Sequence, residues 1–212
     1  KDAIERSYQK VGWDLRNSES EKGVFPTFFD LLDILPGVIE ESHYSKDTQS
    51  DYVGALCTRV KSLTNGIYGS VFCAEDALSD AELFDCNVVV DLSRVGSMET
   101  KSLLMGILVM KLQEYRMCGS EMNSRLRHVT VLEEAHNLLR KTSAEQSQEG
   151  ANLQGKSVEM LANAIAEMRT YGEGFIIADQ APGLLDMSVI RNTNTKIILR
   201  LPDEEDLSLI HI

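Results

Sequence analysis

The stretch that decides the fold is HVTVLEE, which runs from His128 to Glu134. Its apolar and β-branched residues are typical of a short buried strand, and two carboxylates follow at its end. A second run of this kind, GFIIAD (Gly174 to Asp179), comes after a helical pattern from Ser157 to Tyr171 that stops at Gly172. Strand, helix and strand in this order predict two parallel strands joined by a helical crossover.

The same alternation continues in both directions along the chain. Upstream, NVVVDLS (Asn87 to Ser93) predicts another strand, and the apolar spacing from Met98 to Met117 predicts a long helix. Downstream, TKIILRL (Thr195 to Leu201) predicts a fourth strand. The predicted fold class is therefore α/β, with a parallel sheet and helices on both of its faces.

Changes in composition predict four segments. Residues 1–22 are polar and charged, whereas residues 23–86 are a mainly helical subdomain in which one helix should stop at Pro36-Gly37. Residues 87–206 form the carboxy-terminal part of the α/β core. Residues 207–212 (LSLIHI) resemble a translated sequencing adapter and are expected to be non-native. Because the first residues are helix-like and lack an initiator Met, the chain is expected to be a piece of a longer protein.

Composition and charge narrow the class of protein. The chain has 33 acidic and 21 basic residues, a net charge of −12, which argues against a surface that coats nucleic acid indiscriminately. A small basic channel in an assembled ring remains compatible with that charge. No apolar run approaches the roughly 20 residues of a membrane-spanning helix. The four cysteines are widely spaced and form no C-x-x-C, which indicates reduced thiols in a cytoplasmic protein.

Carboxylates and an amide follow the predicted strands at their carboxyl ends. These residues are Asp91, the pair Glu133-Glu134, and Asp179-Gln180. In open α/β sheets this edge is where ligands bind. One carboxylate of such a pair can hold a hydrated magnesium ion while the other orients or deprotonates water. The alternative is that the two acids simply begin a loop or cap a helix.

Taken together, these segments resemble a known family. HVTVLEEAHNLL, followed from Glu159 by EMLANAIAEMRTYGEGFIIADQAPGLLDMSVIRNTNTKIILRLPDEED, is similar to the HerA-type DNA-translocating ATPases of the FtsK/HerA superfamily. The resemblance covers residues 87–206 and extends loosely into the helical region before them. It implies an incomplete RecA-like P-loop core, ATP and magnesium as cofactors, and a hexameric ring that threads DNA, with a nuclease as a possible partner.

The resemblance also implies roles for individual residues. Glu133 matches the acid that assists magnesium, through water, and Glu134 matches the general base. Gln180 matches the polar sensor beside the phosphates, and Arg169 matches a finger that reaches the nucleotide of a neighbouring subunit. The sequence has Glu-Glu where the family more commonly has Asp-Glu.

Arg191 and Arg200 flank the last predicted strand, and either could approach the nucleotide. We assign Arg200 to the nucleotide-binding set with Glu133 and Gln180. The competing interpretation for Arg169 and for both of these arginines is a solvated or ion-paired surface side chain.

One segment matches the phosphate-binding pattern G-x-x-x-x-G-K-[ST], namely Gly150 to Ser157 with Lys156. A working P-loop follows a buried strand, because strand and helix together fix its cradle of backbone N–H groups. No strand pattern precedes Gly150, and the match comes after the Walker B strand. We therefore expect a loop from Lys141 that leads into a helix, with the true P-loop upstream. The isolated chain should then bind ATP poorly and be inactive.

A second partial match is Glu133 to His136, one letter from the DEAH box of another helicase class. That class needs further motifs that this sequence lacks, so His136 is interpreted as a helix-start residue. Two other functions remain open: a non-catalytic scaffold with a decayed ATPase fold, and a related conjugative or secretion ATPase that moves protein. The loop from Lys141 to Lys156 is either a channel-lining segment or a surface linker.

Overall fold

The computed structural model describes residues 1–74, 78–141 and 150–199, with the backbone alone for residues 150–156. The chain divides into two compact units, Lys1–Ala77 and Leu78–Ile212. The predicted helical subdomain ends at residue 86, nine residues after the observed division. None of the helices in the described part of the chain has the length and apolar character that a bilayer crossing requires.

The first unit consists of short helices and one small antiparallel hairpin in its described residues. Its elements are α1 (Asp2–Lys10), β1 (Trp13–Asp14), β2 (Glu19–Ser20), α2 (Phe28–Glu40), α3 (Lys46–Tyr52), a π-helical turn (Val53–Cys57), α4 (Thr58–Thr64) and α5 (Gly66–Phe72). Helix α1 packs on α2, and the Lys10 ammonium lies 3.0 Å from Asp33 and 3.2 Å from Asp30. The predicted stop at Pro36-Gly37 is wrong, because α2 runs through Pro36 to Glu40. A proline removes one helical hydrogen bond, and this helix continues past that loss.

The second unit alternates helices and strands. Its elements are α6 (Asp80–Phe84), α7 (Met98–Gly119), β3 (His128–Glu133), a 3-10 turn (Ala135–Asn137), α8 (Gly150–Met168), a 3-10 turn (Arg169–Tyr171), β4 (Glu173–Ala178), a 3-10 turn (Pro182–Leu184) and α9 (Met187–Asn192). The predicted long helix, the crossover helix and the strands at HVTVLEE and GFIIAD are all present. The polar stretch predicted as a loop is helical from Gly150 onward, while residues 142–149 lie outside the described residues.

Strands β3 and β4 form a parallel pair in which His128 lies opposite Glu173 and Glu133 opposite Ala178. The unit is thus a mixed α/β structure with a parallel sheet. The strand predicted at Asn87 to Ser93 is not formed: Val89 is 93% exposed and no partner strand lies beside it in the described residues. Residues 195–199 of the predicted fourth strand are likewise unpaired. A β-branched run becomes a strand only when a second segment takes up its backbone hydrogen bonds.

One face of the sheet carries the core. Leu132 on β3 and the partly buried Phe175 and Ile177 on β4 pack against helices α7 and α8. The helices contribute a shared set of buried residues to this core: Met105, Val109, Leu112, Leu161, Ala162, Ile165 and Met168. Val131 and Ile176 point to the opposite face and are 55% and 54% exposed. Helices were predicted on both faces of the sheet. In the described residues, helices α7 and α8 pack on one face.

A buried ion pair crosses the beginning of the sheet. Arg116 on α7 donates from Nε to the Glu173 carboxylate at 2.8 Å, and both side chains are almost inaccessible to solvent. The other oxygen of Glu173 accepts from Thr130 at 2.7 Å and lies 2.8 Å from His128 Nδ1. Arg116 also donates to the carbonyl oxygen of Phe84 and to Asp85, each at 2.6 Å. The two side chains therefore join α6, α7, β3 and β4.

Removing the charge of Glu173 should destabilise this unit strongly. Breaking one partner of a buried pair costs about 3–5 kcal/mol, and Glu173→Gln should fall near the lower end because Arg116 keeps Asp85. The measurement is the free energy of unfolding by urea titration. Glu114→Gln is the matched control, because Glu114 is an exposed Glu on α7, the helix that carries Arg116. It should shift that free energy by less than about 0.5 kcal/mol. Equal effects of the two substitutions would contradict the structural importance of the pair.

Candidate functional site

The register of β3 and β4 brings the predicted acidic and amide residues to one edge. Because Glu133 lies opposite Ala178 in a parallel pair, the next residues of both strands leave the sheet side by side. These residues are Glu134 after β3 and Asp179-Gln180 after β4. The sequence prediction that Glu133, Glu134 and Gln180 share the carboxyl edge of the sheet agrees with this geometry.

Glu134 is held in an unusual backbone conformation. Its φ and ψ are 51° and 46°, in the left-handed region that side chains other than glycine seldom adopt. The Gln180 amide donates to Glu134 Oε1 at 3.1 Å. The second carboxylate oxygen, Oε2, lies 3.6 Å from His136 Nδ1, beyond hydrogen-bond distance. With its side chain 46% exposed, Glu134 presents one oxygen that is free to accept a proton or a water.

His136 and Asp179 form a second pair directly beneath this edge. The backbone N–H of His136 donates to Asp179 Oδ2 at 2.8 Å, and the ring Nδ1 lies 3.0 Å from the same oxygen. The Asp179 side chain is 3% exposed and that of His136 is 19% exposed. His136 was interpreted as a helix-start residue, but it lies in the middle of a three-residue 3-10 turn, Ala135–Asn137, and residues 138–141 do not continue it as a helix. Its bonds to Asp179 were not predicted, since nothing in either segment alone indicates the other.

Glu133 is the last residue of β3, and its side chain points to the open face of the sheet. It forms no hydrogen bond or ion pair with any other described residue, so both oxygens are available to a ligand. No group of three or more His, Cys, Asp or Glu side chains in the described ranges is arranged to hold a metal by itself. Magnesium commonly keeps several waters and takes one or two carboxylates, and an exposed single carboxylate fits that mode.

The turn after β3 is anchored from below by the core. Ala135 and Leu139 are fully buried, and the Ser102 hydroxyl of α7 donates to the carbonyl oxygen of Asn137. Further along, the Asp186 N–H donates to the carbonyl oxygen of Leu139 at 2.9 Å. The segments that follow β3 and β4 are therefore bonded to each other and to α7.

Two of the other candidate residues that the structure describes, Arg169 and Asp91, do not join this edge. Arg169 begins the 3-10 turn before β4, and the six residues of that strand span about 20 Å at roughly 3.3 Å each. An arginine side chain does not reach that far, so the Arg169 and Glu134 of one chain cannot serve the same phosphate. Arg200 lies outside the described residues. Asp91 is exposed in the unpaired segment, where the Ser93 hydroxyl and backbone N–H lower the pKa of its carboxyl.

The phosphate-binding pattern at Gly150 to Ser157 is not a P-loop in this fold. Its backbone forms the first turns of α8, which begins at Gly150. In a helix the N–H groups after the first turn bond to carbonyl oxygens four residues earlier, so they cannot surround a phosphate. The expectation that this match is fortuitous is confirmed at the level of the backbone.

Comparison with known proteins adds no assignment: no protein-family model and no curated protein matches this chain. The chemistry of the site must therefore be argued from its own geometry. The site combines the exposed carboxylate of Glu133 with that of Glu134, which the Gln180 amide orients. A third, buried carboxylate, that of Asp179, binds the turn that follows Glu134.

The left-handed backbone of Glu134 should make glycine the more stable replacement there. A non-glycine residue in this conformation costs about 1–2 kcal/mol, and the greater unfolded-state entropy of glycine offsets about 0.5–1 kcal/mol of the gain. Glu134→Gly should therefore be about 0.5–1 kcal/mol more stable than Glu134→Ala, although both lack the carboxylate. Thermal and urea unfolding of the two variants checks this. A less stable glycine variant would mean that the turn does not adopt the left-handed conformation.

Proposed function

We propose that this chain supplies the Walker B and sensor part of a HerA-type ATPase that moves DNA by hydrolysing ATP. The observation that carries the proposal is the contact between Gln180 and Glu134 across adjacent parallel strands, with Glu133 open beside it. A general base must be within reach of the water that it activates and must be oriented toward it. An amide that fixes one carboxylate oxygen and leaves the other open meets that requirement.

The fit of ATP and magnesium follows from the donor set. Magnesium, when bound, would neutralise charge on the phosphates and orient them. Glu133 would hold it through water, because its carboxylate is exposed and has no protein partner among the described residues. Glu134 would take the proton of the attacking water on Oε2, the oxygen that Gln180 does not contact. Gln180 would keep the carboxylate from rotating away.

The proposal extends to assembly. Arg169 lies at the amino end of β4, far from the Glu134 of its own chain. An arginine at that edge can act on a nucleotide only when a neighbouring subunit presents its carboxyl edge, as in a ring. The proposed hexamer, in the cytoplasm and with DNA in its channel, places each nucleotide between one Glu134 and the next subunit's counterpart of Arg169.

Replacing each acid by its amide should separate their roles in the full-length protein. Glu134→Gln keeps shape but removes the basic oxygen, so ATP binding should persist while hydrolysis falls by roughly 10²–10⁴. Glu133→Gln should weaken magnesium retention, so raising the magnesium concentration should restore part of its activity. The assays are nucleotide binding, ATP turnover at several magnesium concentrations, and melting temperature.

The same assays define the outcomes against the proposal. Near-normal turnover by Glu134→Gln would remove the general-base role and favour a non-catalytic scaffold. Similar modest losses for both variants, in step with their melting temperatures, would mean that the two acids act only through stability. Adding duplex DNA separates the remaining alternatives, because DNA should raise the turnover of a DNA motor and leave that of a protein-secretion ATPase unchanged.

Mixed assemblies test the role of Arg169. Arg169→Ala alone should leave ATP binding nearly unchanged and reduce hydrolysis by about 10³–10⁵, the contribution of a supplied arginine finger. Mixing Arg169→Ala subunits with Glu134→Gln subunits should recover activity at interfaces that pair one intact copy of each residue. Arg59→Ala, an exposed arginine of the first unit, controls for the loss of charge. Absence of recovery in demonstrated mixed rings would contradict action between subunits.

A further inference from the structure

Asp179 is a buried carboxylate whose hydrogen-bonding capacity is already used within the protein. Its side chain is 3% exposed. It accepts from the His136 N–H at 2.8 Å and from the Ala181 N–H at 2.8 Å, and it lies 3.0 Å from His136 Nδ1. A carboxylate removed from water is tolerated only with such compensation. Unlike Glu133, Asp179 has no oxygen left open toward a ligand, so its task is to hold other groups.

The group that it holds is the turn that carries Glu134. His136 comes two residues after Glu134 in the same short turn, and both its backbone and its ring are bound to Asp179. A left-handed Glu is unfavourable without support from its surroundings. The support comes from Asp179 directly after the neighbouring strand β4, from the Ser102 hydroxyl at Asn137, and from the Gln180 amide on the Glu134 side chain.

We propose that Asp179 is a positioning residue, which through His136 fixes the turn after β3 so that the Glu134 carboxylate stays against Gln180. This inference rests on the proposed function and deepens it, by dividing the edge into residues that meet the nucleotide and residues that hold them. Asp179 and Gln180 are consecutive residues directly after β4. One of them fixes the backbone of the Glu134 turn and its neighbour fixes the side chain.

The position of a general base matters on the scale of an ångström, since a misplacement of about 1 Å costs up to about 10²-fold in rate. Asp179→Asn keeps the volume but has one acceptor oxygen, so it cannot accept from both the Ala181 N–H and the His136 N–H, and it loses the negative charge that faces the His136 ring. We expect kcat to fall by about 10²-fold in the full-length protein with the KM for ATP nearly unchanged. The reason for this split is that Asp179 affects the chemical step and makes no contact with substrate.

Two substitutions of His136 distinguish the effect of losing the ring N–H donor from the effect of losing the size of the side chain. Asn places an amide nitrogen close to the position of Nδ1, so His136→Asn should retain most of the turnover. His136→Ala removes the ring donor and should lose turnover as Asp179→Asn does. The double variant Asp179→Asn with His136→Ala should be no worse than either single variant, because both remove the same link.

A readout independent of activity is hydrogen exchange at the His136 amide. In Asp179→Asn and Asp179→Ala this amide and its neighbours in 134–139 should exchange faster, while amides of α7 and β4 remain protected. Asp186→Asn is the matched control: the Asp186 carboxylate accepts from the Ser188 N–H at 2.9 Å at the start of α9, while the bond from Asp186 to Leu139 is made by its backbone N–H, which the substitution keeps. It should lower the melting temperature without changing kcat or exchange at His136.

The possible results distinguish a failure of the proposed function from a failure of the positioning role. If the wild-type protein hydrolyses no ATP, the proposed function is wrong, whereas faster exchange at His136 would still establish that Asp179 holds the turn. If Glu134→Gln abolishes hydrolysis but Asp179→Asn keeps a normal kcat, the positioning role is wrong and the proposed function stands. Unchanged exchange at His136 in Asp179→Ala, or a KM that rises while kcat holds, also overturns the positioning role.

Discussion

The buried ion pair between Arg116 and Glu173 is the constraint on which the second unit depends. Glu173 is the first residue of β4 and is inaccessible to solvent, so its charge must be compensated inside the protein. Arg116 of α7 supplies that compensation, while Thr130 and His128 of β3 occupy the other carboxylate oxygen. A shift of either strand by one residue would turn these groups to the opposite face and leave a buried charge without partners. The pair therefore fixes the register.

The register also determines which residues lie at the opposite edge of the sheet, where both strands end. Six residues beyond Glu173 the chain reaches Asp179, and the parallel partner strand reaches Glu133 and Glu134 at the same level. Asp179 is a second buried carboxylate, compensated by the backbone N–H groups of His136 and Ala181 and by the His136 ring. The two strands are thus held by polar contacts at both ends, with apolar packing on α7 and α8 between them. Apolar contacts alone tolerate sliding better than these hydrogen bonds do.

The edge combines exposed and buried residues in a way that suits catalysis. Glu133, Glu134 and Gln180 are exposed, whereas Asp179 is buried and His136 largely so. Reactive groups must meet solvent-borne substrate, while the groups that orient them are most effective when packing prevents their motion. The left-handed backbone at Glu134 is the strained point of this arrangement. Strain of this kind persists where surrounding contacts enforce it, and such places are frequently functional.

The sequence by itself determined the elements whose pattern is local. HVTVLEE and GFIIAD formed strands, and helices formed around Met98 and Ser157, although the second helix begins earlier than predicted, at Gly150. Glu133, Glu134 and Gln180 could therefore be assigned to one edge. Asn87 to Ser93 has an equally strong strand pattern but remains unpaired, because pairing depends on a second segment. The same reason hid the bond between His136 and Asp179, 43 residues apart in the chain. Only the tertiary structure brings such residues together, since burial and hydrogen-bond partners are properties of the folded neighbourhood rather than of the local sequence.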